Sequence, residues 1–129
     1  HRLFRRQRQM CIRDSAIRVP TPNVSLAILS LQLNKEVSVT DVNNYLRTVA
    51  FHSQYREIIG YVNSSEIVST DFYSSPFASV IDSQATIASN KSITLYCWYD
   101  NEYGYSKQVL GLVKKVANIE LPRLPKPIV

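Results

Sequence analysis

Hydrophobic and polar positions change period several times along the chain, which predicts a strand, a helix, further strands and a final helix. Val19 and Thr21 each precede a proline and are pushed into extended backbone. A long strand follows, in which Leu29, Leu31 and Leu33 alternate with Ser30, Gln32 and Asn34, the period of a half-buried strand. Over 38–51 the period lengthens. Val42, Tyr45, Leu46 and Val49 fall at i, i+3, i+4 and i+7, one face of a helix. Ser38 with Asp41 three residues on is a capping arrangement for its start. Residues 58–62, Ile-Ile-Gly-Tyr-Val, predict a short strand, and the Ser-rich stretch 63–76, ending in Pro76, predicts a loop. Phe77 to Ile81 and Thr86 to Ala88 are expected as two strands around a turn. Residues 92–99 set Ile93, Leu95 and Cys97 against Thr94, Tyr96 and Trp98, a strand rich in β-branched and aromatic types. After the polar turn Asp100-Asn101-Glu102, the residues Tyr105, Val109, Leu112, Val113 and Val116 keep helical spacing to about Ala117.

This order is α+β rather than strict βαβ alternation. The expected architecture is a mixed, mostly antiparallel sheet with helices on one face and a terminal helix. Three prolines in the last ten residues predict an extended, surface-running tail over 119–129.

Composition changes this picture only at the N-terminus. The chain has 129 residues, a hydrophobic fraction of 45% and a charged fraction of 19%, values of an ordinary globular chain of about one domain. No apolar run approaches the length of a membrane-spanning helix. The formal charge of +5 is concentrated in residues 1–15, which hold five arginines and a single acid; residues 16–129 hold ten basic and nine acidic residues. A basic terminal run is weak support for nucleic-acid binding, and the near-neutral body carries no base-stacking or base-reading motif. The stretch Met10-Cys11-Ile12-Arg13-Asp14-Ser15 resembles a translated sequencing-adapter sequence, so 1–15 is read as a non-native tail and set aside from fold reasoning. Within the body only Cys97 remains, which implies no disulfide framework and fits a reducing cytoplasm. Three glycines in all leave no glycine-rich phosphate loop.

Few polar residues could carry chemistry. Arg18 precedes the stiff Val-Pro-Thr-Pro run, and its fork of donors suits a phosphate or carboxylate; an ordinary surface ion pair is the plainer reading. Asn101 stands in the turn before the last helix, where a cap or turn role is favoured, although its carboxamide could pair with another carboxamide. The aromatics around it, Trp98, Tyr99, Tyr103 and Tyr105, are core formers or a ligand wall. His52 reads as a solvated connection residue, Asp71 as a turn residue and Cys97 as a buried, inert thiol.

Three motifs in order carry a family resemblance: Arg-Val-Pro-Thr-Pro-Asn-Val-Ser at 18–25, Ser-Thr-Asp-Phe at 69–72 and Trp-Tyr-Asp-Asn-Glu-Tyr-Gly-Tyr-Ser at 98–106. Together they resemble the C-terminal half of the catalytic domain of glyceraldehyde-3-phosphate dehydrogenase, over about residues 16–118. The related erythrose-4-phosphate dehydrogenases have similar motifs. The resemblance implies oxidation and phosphorylation of glyceraldehyde 3-phosphate to 1,3-bisphosphoglycerate in glycolysis. It implies NAD or NADP as cofactor, bound mainly by an N-terminal domain, with inorganic phosphate as second substrate. It also implies a homotetramer when full length and a cytoplasmic location, with neither nucleic acid nor membrane as partner. Arg18 matches the family's substrate-phosphate-binding arginine. Asn101 matches the asparagine that bonds the nicotinamide carboxamide, and Tyr105 a tyrosine beside that ring. The family's nucleophile lies in a Ser-x-Thr-Thr-Asn-Cys motif that this sequence does not contain, and the base histidine has no match. No catalytic residue or metal ligand is therefore assigned, and the chain alone is expected to be inactive. The alternatives are a fragment of an erythrose-4-phosphate dehydrogenase, or a non-catalytic binding or interaction module of the same fold.

Overall fold

The computed structural model describes residues 13–15 and 23–119. Arg18, Val19, Thr21 and the proline-rich tail lie outside the described residues. The elements are β1 (Arg13–Ser15), β2 (Ser25–Gln32), α1 (Val39–His52), β3 (Ile59–Val62), a 3-10 turn (Ser69–Phe72), β4 (Ser79–Ser89), β5 (Ser92–Tyr99) and α2 (Tyr103–Val116).

The strands form one five-stranded mixed sheet in the order β1-β2-β5-β4-β3. All neighbours are antiparallel except β3 and β4, which are parallel. The α+β architecture expected from the order of elements is therefore present. One addition concerns β1: Arg13–Ser15, set aside with the tail in the sequence reading, pair with Ser30–Ile28 at the sheet edge.

Strand alternation sorts side chains onto two faces. On one face Ile81, Ile93, Leu95 and Cys97 are buried, with Ala27, Leu29 and Leu31 packed around them, and Val42 and Leu46 of α1 close over the cluster. The start of α1 is the predicted capping box. The Ser38 hydroxyl accepts the Asp41 N–H at 3.1 Å, and the Asp41 carboxylate accepts the Ser38 N–H at 3.2 Å. These bonds satisfy donors that the first helical turn leaves unpaired. On the opposite face Val24, Phe72 and Val80 are buried, with Phe77 and Trp98 against them. The cover there is the 3-10 turn, closed by the Asp71 carboxylate accepting the Val68 N–H at 2.9 Å.

In place of two strands around a turn, β4 is a single strand of 11 residues whose register against β5 shifts between Asp82 and Ile87. The Asp82 carboxylate accepts the N–H groups of Gln84 and Ala85 through Oδ1 and the Trp98 indole N–H through Oδ2. These bonds satisfy the backbone that the bulge removes from the ladder, so the strand continues through a polar stretch.

Helix α2 starts two residues earlier than its periodicity predicts and ends in a Schellman motif. Asn118 adopts φ 54°, the Ile119 N–H reaches the Lys114 carbonyl, and the Asn118 N–H reaches that of Lys115, which is how a helix end satisfies its last carbonyls. Gly104 is the sole buried residue of α2. Its apolar positions face outward: Tyr105, Leu112, Val113 and Val116 are all exposed.

Candidate functional site

The motifs 18–25 and 98–106 meet at one end of the sheet, because β2 and β5 pair from Ser25 opposite Tyr99 to Gln32 opposite Ser92. The start of β2 thereby lies beside the end of β5 and the turn into α2. Asn23, Val24 and Ser25 come from one side, Asp100, Asn101 and Tyr103 from the other. Ser74 approaches from the loop that follows the 3-10 turn.

Asp100 is the centre of this corner. It is 3% exposed, and both carboxylate oxygens are used. Oδ1 accepts the N–H groups of Glu102 at 2.9 Å and Tyr103 at 2.8 Å; Oδ2 accepts the Ser74 N–H at 3.1 Å and the Asn23 side-chain N–H at 3.2 Å. The Tyr103 N–H, followed by those of Ser74 and Glu102 and the Asn23 amide, holds its carboxyl below the ordinary carboxylate range, with burial opposing the shift. The turn into α2 is thus held by Asp100, whereas its sequence neighbour Asn101 was the residue favoured for that role.

Asn101 points elsewhere. Its side chain is exposed, and Nδ2 donates to the Ser25 hydroxyl at 2.8 Å. Anchoring the amino end in this way leaves the carboxamide oxygen without a hydrogen bond among the described residues. A carboxamide held at its donor end presents its oxygen as an acceptor suited to an N–H from a ligand amide. Tyr105, in the first turn of α2, is 72% exposed.

Between Asn23 and Ser25 the backbone is strained. Val24 has φ 72°, a region that is a genuine outlier for a β-branched residue. Its N–H is taken by the Asn23 Oδ1 at 2.8 Å, and its side chain is buried beside Phe72 and Val80. Such strain persists only where the surroundings over-determine it, and it clusters at functional sites.

The sequence reading missed Asn23, Ser25, Ser74 and Asp100. A usable signal for Asp100 existed: an aspartate placed two and three residues before the first N–H groups of a helix is a turn former. The bonds to Asn23 and Ser74 carry no local signal.

Cys97 behaves as read, whereas His52 belongs to the last turn of α1 and not to the connection after it. Cys97 is buried on the α1 face, and burial raises its thiol above the ordinary value, with a hydrogen bond from Ser79 opposing. His52 is exposed in the last turn of α1. Among the described residues no group of three His, Cys, Asp or Glu side chains is placed to hold a metal, and no helix is long and apolar enough to cross a membrane.

The chain belongs to the family described as glyceraldehyde 3-phosphate dehydrogenase, C-terminal domain, whose model matches residues 8–101. The match begins within the basic N-terminal stretch, includes Arg18 and Asn101, and ends before α2. A glyceraldehyde-3-phosphate dehydrogenase-like protein of Pseudomonas aeruginosa is 48% identical over 112 residues, which is 87% of this chain and 24% of that protein. Glyceraldehyde-3-phosphate dehydrogenase 2 of Drosophila melanogaster is 43% identical over 77% of this chain and 30% of its own length. The Priestia megaterium glyceraldehyde-3-phosphate dehydrogenase is 40% identical over 82% of this chain and 31% of its own. The chain thus spans about a quarter to a third of the length of these relatives.

Proposed function

We propose that this chain is the C-terminal part of an NAD- or NADP-dependent phosphorylating dehydrogenase acting on glyceraldehyde 3-phosphate. The observation that carries the reading is the corner in which Asn101, anchored to Ser25, stands next to the segment that follows Arg18. In the reading, the bound nicotinamide supplies the hydride acceptor. Asn101 accepts a hydrogen bond from its carboxamide through Oδ1, and Tyr105 flanks the ring. Arg18 takes the phosphate of the aldehyde or the inorganic phosphate through its guanidinium fork. The nucleophilic cysteine and the base histidine belong to sequence upstream of residue 16. Cys97 does not replace the nucleophile, because a buried thiol with a raised pKa supplies little thiolate.

Two further features support a segment of a longer enzyme over a stand-alone interaction module. Its length is about a quarter to a third of that of its relatives, and the apolar residues Leu112, Val113 and Val116 of α2 are exposed, an uncommon cluster on a free surface. In the reading, the full-length enzyme is a cytoplasmic homotetramer, and residues 16–118 taken alone are inactive.

The test uses the full-length polypeptide that carries this segment. Arg18→Leu removes a charge-assisted contact worth about 1.5–3 kcal/mol, so kcat/KM for glyceraldehyde 3-phosphate falls roughly ten- to hundredfold. The fall is smaller for unphosphorylated glyceraldehyde, which has no phosphate to lose. Asn101→Ala weakens use of the nicotinamide cofactor. Unchanged substrate discrimination together with unchanged cofactor parameters defeats the reading.

A further inference from the structure

Two side-chain bridges join the start of β2 to the end of β5. Asn23 Nδ2 donates to Asp100 Oδ2, and Asn101 Nδ2 donates to Ser25 Oγ. Between them lies Val24, the β-branched residue at positive φ. Asn23 closes the first bridge onto that strained residue, because its Oδ1 accepts the Val24 N–H while its Nδ2 is held by Asp100. Asp100 in turn fixes the turn of Asn101 through its other oxygen, which holds the Glu102 and Tyr103 N–H groups. One buried carboxylate therefore determines the backbone on both sides of the corner. Among the described residues its partners are all N–H groups, so it acts by orientation.

We infer that Asp100 is a positioning residue that locks the substrate-phosphate segment and the cofactor turn into one unit through Asn23. The inference rests on the roles proposed for Arg18 and Asn101. Without the lock, Val24 relaxes from its strained conformation and Ser25 moves relative to Asn101. The Asn23–Ser25 segment, which follows Arg18 in the chain, and the carboxamide of Asn101 then lose their fixed relation. A group that merely starts a helix would produce no such joint effect.

Asp100→Asn separates the two functions of the carboxylate. The remaining oxygen can still accept the Glu102 and Tyr103 N–H groups, while the new amino group meets the Asn23 and Ser74 donors head-on. In the full-length enzyme we expect a rise of about tenfold or more in KM for NAD. We also expect a comparable fall in the preference for glyceraldehyde 3-phosphate over glyceraldehyde, measured as the ratio of kcat/KM values. Asn101→Ala moves only the first quantity and Arg18→Leu chiefly the second. Asn23→Asp combined with Asp100→Asn exchanges the amide and carboxylate across the bridge, and recovers part of both losses. Ser38→Ala, which removes the capping box of α1 far from the corner, lowers stability and moves neither quantity. If Asp100→Asn lowers only the melting temperature and leaves both quantities within twofold, the inference is overturned. In that case the functional reading stands as long as Arg18→Leu and Asn101→Ala have their effects. If those two variants also change nothing, the reading itself fails and the inference falls with it. Should Asp100→Asn not fold, Asn23→Ala breaks the same bridge from its more exposed side. It must produce the same paired losses, and a single loss or none overturns the inference.

Discussion

Trp98 and Phe72 lie face to face, with ring centroids 5.3 Å apart and planes within 10° of parallel. The stack ties β5 to the 3-10 turn, and the Trp98 indole N–H is fixed on Asp82 at 3.3 Å. Phe72 is buried. Phe72→Ala is therefore expected to destabilise the chain by about 3–5 kcal/mol, the usual cost of truncating a buried Phe. Trp98 is the one tryptophan in the sequence, so its emission reports the stack directly. The variant should show a red-shifted native spectrum and a lower denaturation midpoint.

Cys97 should be chemically silent in the folded chain. It is 5% exposed, and burial keeps its thiol protonated at neutral pH. Peptide mapping after brief treatment with iodoacetamide should find Cys97 unmodified in native protein and fully modified in denaturant. Cys97→Ala should retain the fold, at the modest cost of removing a small buried group. Rapid native labelling of this residue would place it outside the core.

Asp100 links the corner to pH. A carboxyl whose folded pKa is depressed stabilises the fold fully above its unfolded value, near pH 4, and loses that contribution as pH falls through the folded value. Asp100 has this sign. The stability advantage of wild type over Asp100→Asn should be constant from neutral pH down to about pH 4 and shrink below it. The Asp41 carboxyl is also depressed, by the Ser38 hydroxyl first, and adds its own acid sensitivity to both proteins. The informative quantity is thus the difference between the two unfolding free energies, followed by urea titration at each pH.

Much of this fold is legible from alternation alone. Leu29 and Leu31 of β2 and Ile93, Leu95 and Cys97 of β5 follow the two-residue period, and the structure buries them or packs them together on one face. The capping box at Ser38 and Asp41 is equally local. The bulge in β4 is not. Asp82 to Ala85 have the composition of a turn, and what keeps the strand running is a carboxylate that also reaches Trp98, 16 positions along the chain. The site was legible in the same uneven way. The motif around Asn101 could be read, and the hold of Asp100 on the Glu102 and Tyr103 N–H groups has a local signal, but its ties to Asn23 and Ser74 span 77 and 26 positions. Periodicity has no access to such contacts.

The two glycines of α2 should respond in opposite directions to the same substitution. A Cβ at Gly104 would sit 2.8 Å from the Phe77 carbonyl oxygen and 3.5 Å from that of Ser75. Both obstacles are backbone and cannot rotate aside. The Phe77 segment is itself wedged, since its ring lies against Gly60, and Gln108 of α2 donates to the neighbouring Pro76 carbonyl at 3.0 Å. Gly104→Ala must therefore lift the first turn of α2 away from its seat. The overpacking cost of about 1–3 kcal/mol should exceed the gain of about 1 kcal/mol in helix propensity. Gly111 has nothing within 4 Å of an added Cβ and stands on an exposed part of the same helix. Gly111→Ala should keep the propensity gain and stabilise the chain by up to about 1 kcal/mol. Denaturation midpoints of the two single variants check the contrast. Stabilisation by both would mean that α2 does not sit on the Phe77 carbonyl.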